Sequence, residues 1–431
     1  MSASPVSITF VDLFDDSSAL YDKLEEAFGA GPSSLGLLVI THLPPAYGAQ
    51  RDRLLRQSAR FAALPDKVKA KYEDAASSYS FGWSHGKEKM NGKPDLHKGS
   101  FYANPSTDLP IARSEAITRA NPSYYSANIW PSQQDCPSYE TDFKTLSSFM
   151  RDIGIQLAKR CDELIDSRTT KGKMRASEMI QHSQCSKARL LHYFPVPGQE
   201  LRLDGSTSSP AAPAIASEDD LCGWHLDHSI LTVLTQAMYL LHSSDAQTRP
   251  EPLAIPSPNP DAGLYIRTHA TAGCASRVLK VNIPPDSVAI QLGEAIQVMS
   301  HGELLGTTHC VRAGQVSHQA TAGIRHAIEQ SADRSLWQTV QGAVITRETL
   351  AVFLQPDVDD LLTHDLSFGG FTQQKLIRRS KPSKGSKDIT SGTLSEHARR
   401  SVARERCPVT QRFICQTWFT LQPGRRRPDA R

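Results

Sequence analysis

Two periodicities divide the chain. In the first 184 residues helical segments, the longest with apolar positions three or four apart, alternate with a few strand-like runs; after Lys187 the apolar positions come in short runs bounded by Gly, Pro, Asp and Ser. VSITFVDL at the start predicts a strand. SSALYDKLEEAFG predicts a helix capped by Ser17 or Ser18 and stopped at Gly29, and GLLVITHL a second strand. RDRLLRQSARFAALPDKVKAKYED fits one or two helices broken at Pro65. From Tyr79 to Tyr102 the chain is rich in Gly, aromatics and Lys and reads as a loop with short strands. The clearest helix lies in YETDFKTLSSFMRDIGIQLAKRCDELIDSR, where Phe143, Leu146, Met150, Ile153, Leu157, Cys161 and Leu164 form a stripe. Such a stripe is core, packed on something large.

From Lys187 onward, ARLLHYFP, CGWHLDHSILTVLTQAMYLLH, GLYIRTHA, RVLKVNIP, DSVAIQLGEAIQVMS, TTHCVRAG and RETLAVFLQP all have strand character. A series of strands without helices between them predicts an antiparallel sandwich or barrel. Leu201–Asp220 and Ser243–Pro260, rich in Ser, Ala and Pro, read as surface insertions. The expected organisation is a mixed N-terminal region over 1–135, a supporting helix and connection over 136–184, a β core with insertions over 185–370, and a tail over 371–431.

Composition changes this picture little. With 431 residues, 39% of them hydrophobic and 22% charged, the chain has the makeup of a globular protein able to bury a large core. Its net charge of +3 hides an asymmetry: the tail from Phe371 carries +11 and the rest −8. A mildly acidic body argues against a nucleic-acid-binding surface there. The tail is expected to be disordered or loosely docked and solvated, with RNA or anionic lipid binding the lesser alternative; no membrane or nucleic-acid partner is expected. The eight cysteines form no CxxC pair and no framework, and so read as reduced thiols. No apolar run reaches the roughly 18 residues a membrane span needs, and MSASPVSITFVDLF lacks the marks of a secretory signal. A cytoplasmic monomer is the expectation.

The chemistry gathers in CGWHLDHSILTVL. On a strand, His225 and Asp227 lie two apart and project from one face, offering a divalent metal an imidazole and a carboxylate. HxD alone is a motif that chance produces. A third ligand from a distant strand would complete a facial triad with open positions. His301 and His309 are both candidates; His301 lies in a predicted turn, and His309 begins β-prone sequence and is the better choice. Farther on, ITRETLAVFLQP puts Arg347 and Thr349 on one face of a strand, where a guanidinium fork and a hydroxyl can grip a carboxylate.

With these residues in place, the chain resembles the isopenicillin N synthase-like oxygenases, the branch that includes many plant 2-oxoglutarate-dependent dioxygenases. The resemblance covers about residues 5 to 360. It rests softly on FVDL, GLLVITHL and FAALPDKVKAKY, and more specifically on GWHLDHSILT, LGEAIQVMSHG, THCVR and RETLAVF. It implies an α+β, mainly β fold: a double-stranded β-helix (jelly-roll) core with a helical N-terminal region. It further implies Fe(II) held by His225, Asp227 and His309, and 2-oxoglutarate held at its distal carboxylate by Arg347 and Thr349, with Tyr193 as a further contact. The implied reaction uses O2 to hydroxylate or desaturate a small organic substrate, and no general acid or base is assigned. Three departures matter. Where the family has Asn-Tyr-Tyr-Pro, this chain has His192-Tyr193-Phe194-Pro195, which puts two polar contacts in doubt. Asp227 and His309 are unusually far apart, and an insert separates His309 from Arg347, as a lid helix or as surface decoration. The rival readings are an iron oxidase that dispenses with 2-oxoglutarate and a binding protein that has lost turnover. The loop residues Phe81, Trp83, His85, Lys98, Phe101 and Tyr102 are candidates for the pocket mouth.

Overall fold

The computed structural model describes residues 2–31, 34–90, 93–168, 173–195, 222–243, 251–270, 273, 275–312, 318–331 and 342–380. The Leu201–Asp220 insertion, part of the Ser243–Pro260 segment, both ends of the insert after His309 and the tail from 381 lie outside them.

The N-terminal elements follow the hydrophobic pattern. A two-residue strand β1 (Ser2–Ala3) and β2 (Val6–Thr9) lead into α1 (Ser18–Phe28), which has Ser17 at its N-cap and ends at Gly29. Next come β3 (Leu37–Thr41), α2 (Ala46–Ala62) and the short α3 (Asp66–Lys69), with Pro65 at the break between the two helices. The Gly- and Lys-rich stretch forms β4 (Gly82–His85), a small hairpin of β5 (Lys89–Met90) and β6 (Lys93–Pro94), and β7 (Lys98–Ala103). After the short α4 (Glu115–Ala120) and α5 (Pro122–Tyr125) comes the long α6 (Tyr139–Asp166), then α7 (Ala176–His182). All seven residues of the α6 stripe are buried, none more than 2% exposed.

Strands dominate the rest: β8 (Lys187–Tyr193), β9 (Cys222–His225), β10 (Leu231–Thr235), β11 (Met238–His242), β12 (Leu253–Ile255), β13 (Gly263–Arg267), β14 (Val278–Val281), β15 (Val288–Leu292), β16 (Thr308–Arg312) and β17 (Val344–Leu354). Among the described residues they form two sheets. The larger runs β2-β3-β15-β10-β17-β8-β7-β4, with β11 and β12 attached beside β17; the smaller runs β1-β14-β13-β16-β9. The chain crosses repeatedly between them: β8 large, β9 small, β10 large, β13 and β14 small, β15 large, β16 small, β17 large. All pairings from β8 to β17 are antiparallel, which agrees with the sandwich or barrel expected.

Two departures from the expected elements have physical causes. EAIQVM, read as strand, is the short helix α8 (Glu294–Met299). The turn before it is so tight that a Cβ on Gly293 would sit 1.9 Å from the Ser229 carbonyl oxygen. The Gly293 and Glu294 amides then donate to the carbonyls of Ile230 and Asp227, which diverts the chain from the sheet. The described part of the insert is α9 (His318–Gln330), whose Ile324 and Ile328 pack with Leu241, Ile255 and Ala343 beside β11 and β12. The first residues of the expected tail also have structure. After the small hairpin of β18 (Leu361–Thr363) and β19 (Leu366–Ser367), α10 (Phe368–Ser380) buries Phe368 and Phe371.

The two faces of the large sheet have different neighbours. Leu190, Leu231, Val233, Ile290, Leu350, Val352 and Leu354 join the α6 stripe in the main core. Gly154 of α6 lets the helix close on the sheet, for a Cβ there would meet Leu354 Cδ1 at 2.3 Å. On the opposite face Leu37, Val39 and Ala289 pack against Leu264, Ile266, Leu279 and Val281 of the small sheet. The sheets therefore lie face to face, and the candidate site opens between them.

Candidate metal centre and carboxylate pocket

β9 ends at His225, and Asp227 lies just beyond it, so the pair is set by a strand end rather than by a continuing strand. His309 is opposite His225 in the β9–β16 pairing. The imidazole centroids are 4.1 Å apart, and Asp227 Oδ1 is 3.5 Å from His225 Nε2 and 3.9 Å from His309 Nε2. One donor atom from each residue falls within 4.8 Å of the others. His301, the alternative, is exposed in the turn after α8.

The surroundings prepare the three side chains for a cation. His225 Nδ1 is 2.7 Å from the Gly223 carbonyl oxygen, and His309 Nδ1 is 2.9 Å from that of Thr307. A carbonyl only accepts, so each Nδ1 carries the proton and each Nε2 offers a lone pair. Burial and the neighbouring His225 push the His309 imidazole down to about 4, against the pull of Asp227, so it is neutral at neutral pH. Burial alone would raise the Asp227 carboxyl, but His309, His225 and the Thr232 hydroxyl hold it well below the usual carboxylate range. Two imidazoles and one carboxylate on one side of a site fit a divalent transition metal with open positions on the other.

These residues line a cavity of about 750 Å³ between the sheets. Strand alternation puts Leu191 and Tyr193 of β8, Arg347, Thr349, Ala351 and Phe353 of β17, Thr232 and Leu234 of β10, and Gln291 of β15 on its wall. The Arg347 guanidinium lies over the Tyr193 ring, 4.9 Å from its centroid. Its Nε and Nη1 are buried and have no partner among the described residues. A guanidinium with such donors inside a cavity has the chemistry to pair with an anion. Thr349 lines the same wall, but its hydroxyl is engaged at 3.3 Å with the Thr235 carbonyl.

The substituted segment reads differently in three dimensions. His192 and Phe194 lie off the cavity, while Leu191 and Tyr193 face it. His192 Nδ1 meets Glu348 Oε1 at 2.8 Å on the helix side of the sheet, and Phe194 packs between His85 and His192. The doubt raised by those two substitutions therefore does not fall on the cavity wall. The loop candidates are also elsewhere: Phe81, Trp83 and Phe101 are core, and none of the six lines the cavity. Lys98 joins Asp95 and Glu88 in a buried charged group. Arg189, not singled out in the sequence, does line the cavity and binds Glu88 at 2.7 Å and Ser100 at 3.0 Å. Thr232 and Gln291 were also passed over. Gln291 had a signal, as the one polar residue in the buried strand VAIQL.

No protein-family model matches the sequence, and no curated protein matches it. Solved structures do. A protein described as of the 2OG-Fe(II) oxygenase family, from Caulobacter crescentus, is 18% identical with a TM-score of 0.56, over 88% of this chain and 100% of that one. The chain has the fold of these oxygenases. A full-length Neurospora crassa protein, crystallised with alpha-KG and thymine, is 14% identical with a TM-score of 0.51, over 86% and 96% of the two chains. JOX2, crystallised with 2OG, Fe and JA, is 14% identical with a TM-score of 0.50, over 88% and 86%. With this oxygenase fold, the histidine pair, the carboxylate and the buried guanidinium share one cavity. No helix among the described residues is long and apolar enough to cross a membrane.

Proposed function

We propose that the chain is an Fe(II)- and 2-oxoglutarate-dependent oxygenase acting on a small organic substrate. The observation that carries this reading is the buried Nε and Nη1 of Arg347, without a partner among the described residues, in the cavity that also holds His225, Asp227 and His309. A metal triad alone suits many activities. A triad with a guanidinium on the same wall, unpaired among the described residues, suits a cosubstrate that chelates at one end and carries a carboxylate at the other. The solved oxygenases of like fold support it, since their crystals hold 2-oxoglutarate together with thymine or with JA. The crossing of strands between two facing sheets is read here as a double-stranded β-helix, or jelly roll. The subtype proposed is the isopenicillin N synthase-like branch.

In this reading the three ligands hold Fe(II), which supplies oxygen activation when bound. The chain's own residues bind and orient. Arg347 pairs with the distal carboxylate of 2-oxoglutarate, and the Tyr193 ring beneath the guanidinium fixes its plane. Thr349 and Thr235 shape the floor beside it. Leu191, Leu234, Val311 and Phe353 are the apolar lining that keeps bulk water from the reacting region.

The test is anaerobic addition of Fe(II) and then 2-oxoglutarate to the purified protein, following the weak metal-to-ligand charge-transfer band in the visible. The band is expected in the wild type and absent from His225→Ala. Iron binding without a band would move the oxidase reading ahead, and no iron binding would leave a non-catalytic protein of this fold.

A further inference from the structure

Beyond the three candidate ligands, one side chain touches two of them at once. Gln291 is fully buried at the inner face of β15. Its Nε2 is 2.9 Å from Asp227 Oδ2; it also lies 2.9 Å from His309 Nε2 and 3.2 Å from His309 Nδ1, a ring contact that a metal on His309 Nε2 would replace while leaving the bond to Asp227. The Asp227 carboxylate only accepts, so the amide must present its NH2 and not its oxygen to it. That orientation leaves Gln291 Oε1 buried with no partner among the described residues. A buried carbonyl oxygen without a donor is unfavourable, and a leucine of similar size would avoid it. The polar residue in this otherwise apolar strand is therefore explained by what its NH2 does.

What it does is sort the two carboxylate oxygens. Asp227 Oδ2 receives the Gln291 amide and, at 2.6 Å, the Thr232 hydroxyl. Oδ1 is the oxygen near both imidazole nitrogens, 3.5 Å from His225 Nε2 and 3.9 Å from His309 Nε2. Gln291 and Thr232 are paired in register on neighbouring strands β15 and β10, so both donors are held by the sheet. Rotation of the carboxylate to present both oxygens would break both hydrogen bonds. We infer that Gln291 is a positioning residue of the metal centre: with Thr232 it makes Asp227 a one-oxygen ligand and so preserves the positions a chelating cosubstrate needs. This inference rests on the metal reading proposed above.

The experiment is titration of the purified full chain with Co(II), followed by its visible absorption, in the wild type, Gln291→Leu and Thr232→Val. Hydrogen-bond partners of metal ligands typically set affinity by about 10–100-fold. Gln291→Leu is expected to weaken Co(II) binding by a factor in that range and to change the band shape, because the freed carboxylate turns. Thr232→Val is expected to shift the spectrum in the same sense. If Gln291→Leu does not fold by circular dichroism, Gln291→Met, which keeps the length and lacks the donors, carries the same expectation. A folded variant with wild-type affinity and spectrum overturns the inference. If the wild type itself takes no Co(II), the metal reading fails and this inference with it, an outcome plainly different from a wild type and variant that bind alike.

Discussion

β17 shows two environments one residue apart. Leu350, Val352 and Leu354 turn to α6 and are fully buried in an apolar core, while Arg347, Thr349, Ala351 and Phe353 turn to the cavity. The same division runs through β8 and β10, where Leu190 and Val233 face the helices and Tyr193 and Thr232 face the cavity. Because side chains alternate with a period of two, one set of strands can be a stability element on one side and a chemical surface on the other. On the helix side polar groups are few, and of these Glu348 Oε2 and the Tyr139 hydroxyl are buried with no partner among the described residues. On the cavity side, Arg347 and Gln291 keep buried atoms with no partner among the described residues. The faces should therefore fail differently: helix-side substitutions should lower stability with little effect on binding, and cavity-side ones should do the reverse.

The exception on the helix side gives the largest expected effect. Glu348 is wholly buried between Arg347 and Thr349, and its Oε1 is held by His192. His192→Leu leaves that carboxylate without its partner, and loss of one member of a buried pair costs about 3–5 kcal/mol. Denaturant unfolding should show a loss of that size. A loss under about 1 kcal/mol would mean that the pair contributes little.

Next in size is Leu350→Ala. Removing a fully buried leucine costs about 2–5 kcal/mol, and Co(II) affinity measured well below the melting transition should stay at the wild-type value. A comparable loss of affinity would show that the two faces are coupled and break the comparison.

A smaller effect is expected at the edge of the cavity, where Arg189 meets Glu88. Burial opposes ionisation of the Glu88 carboxyl, but Arg189, Lys98 and the Tyr102 hydroxyl bring it down from its ordinary 4.5 to about 2. A carboxyl lowered on folding contributes stability that is full above pH 4.5 and lost as pH falls towards 2. Glu88→Gln should be less stable than the wild type at pH 7, and the gap should close across that window. A gap that stays constant from pH 7 to 2 would remove Glu88 from the acid response.

Much of this was legible in the sequence, for identifiable reasons. The α6 stripe and the helix break at Pro65 are set by spacing and by proline chemistry, both local. His225, Asp227, His309 and Arg347 come together because short strands of known alternation brought them to candidate faces, and the fold closes those faces on one cavity. What the sequence hid depends on pairing. Whether His192 or Tyr193 faces inward is a one-residue question of phase, settled by the register of β8 against β17. The helix α8 reads as strand because six residues are too few to show a helical period, and the tight turn at Gly293 is visible only once Ser229 lies against it. Thr232 looks like an ordinary strand residue, and Gln291 stands out in VAIQL only as a polar residue without a stated task, until Asp227 is placed beside them.

The central claim is that the two ends of the cavity form a single site. The most direct measurement is the 2-oxoglutarate dissociation constant of the Fe(II) protein under anaerobic conditions, in the wild type and in Arg347→Met, with Fe(II) affinity measured in parallel. Removing one partner of a buried charge pair costs about 2–5 kcal/mol, so 2-oxoglutarate should bind at least about 30-fold more weakly while Fe(II) binds as before. An Arg347→Met protein that binds 2-oxoglutarate as tightly as the wild type would contradict the account.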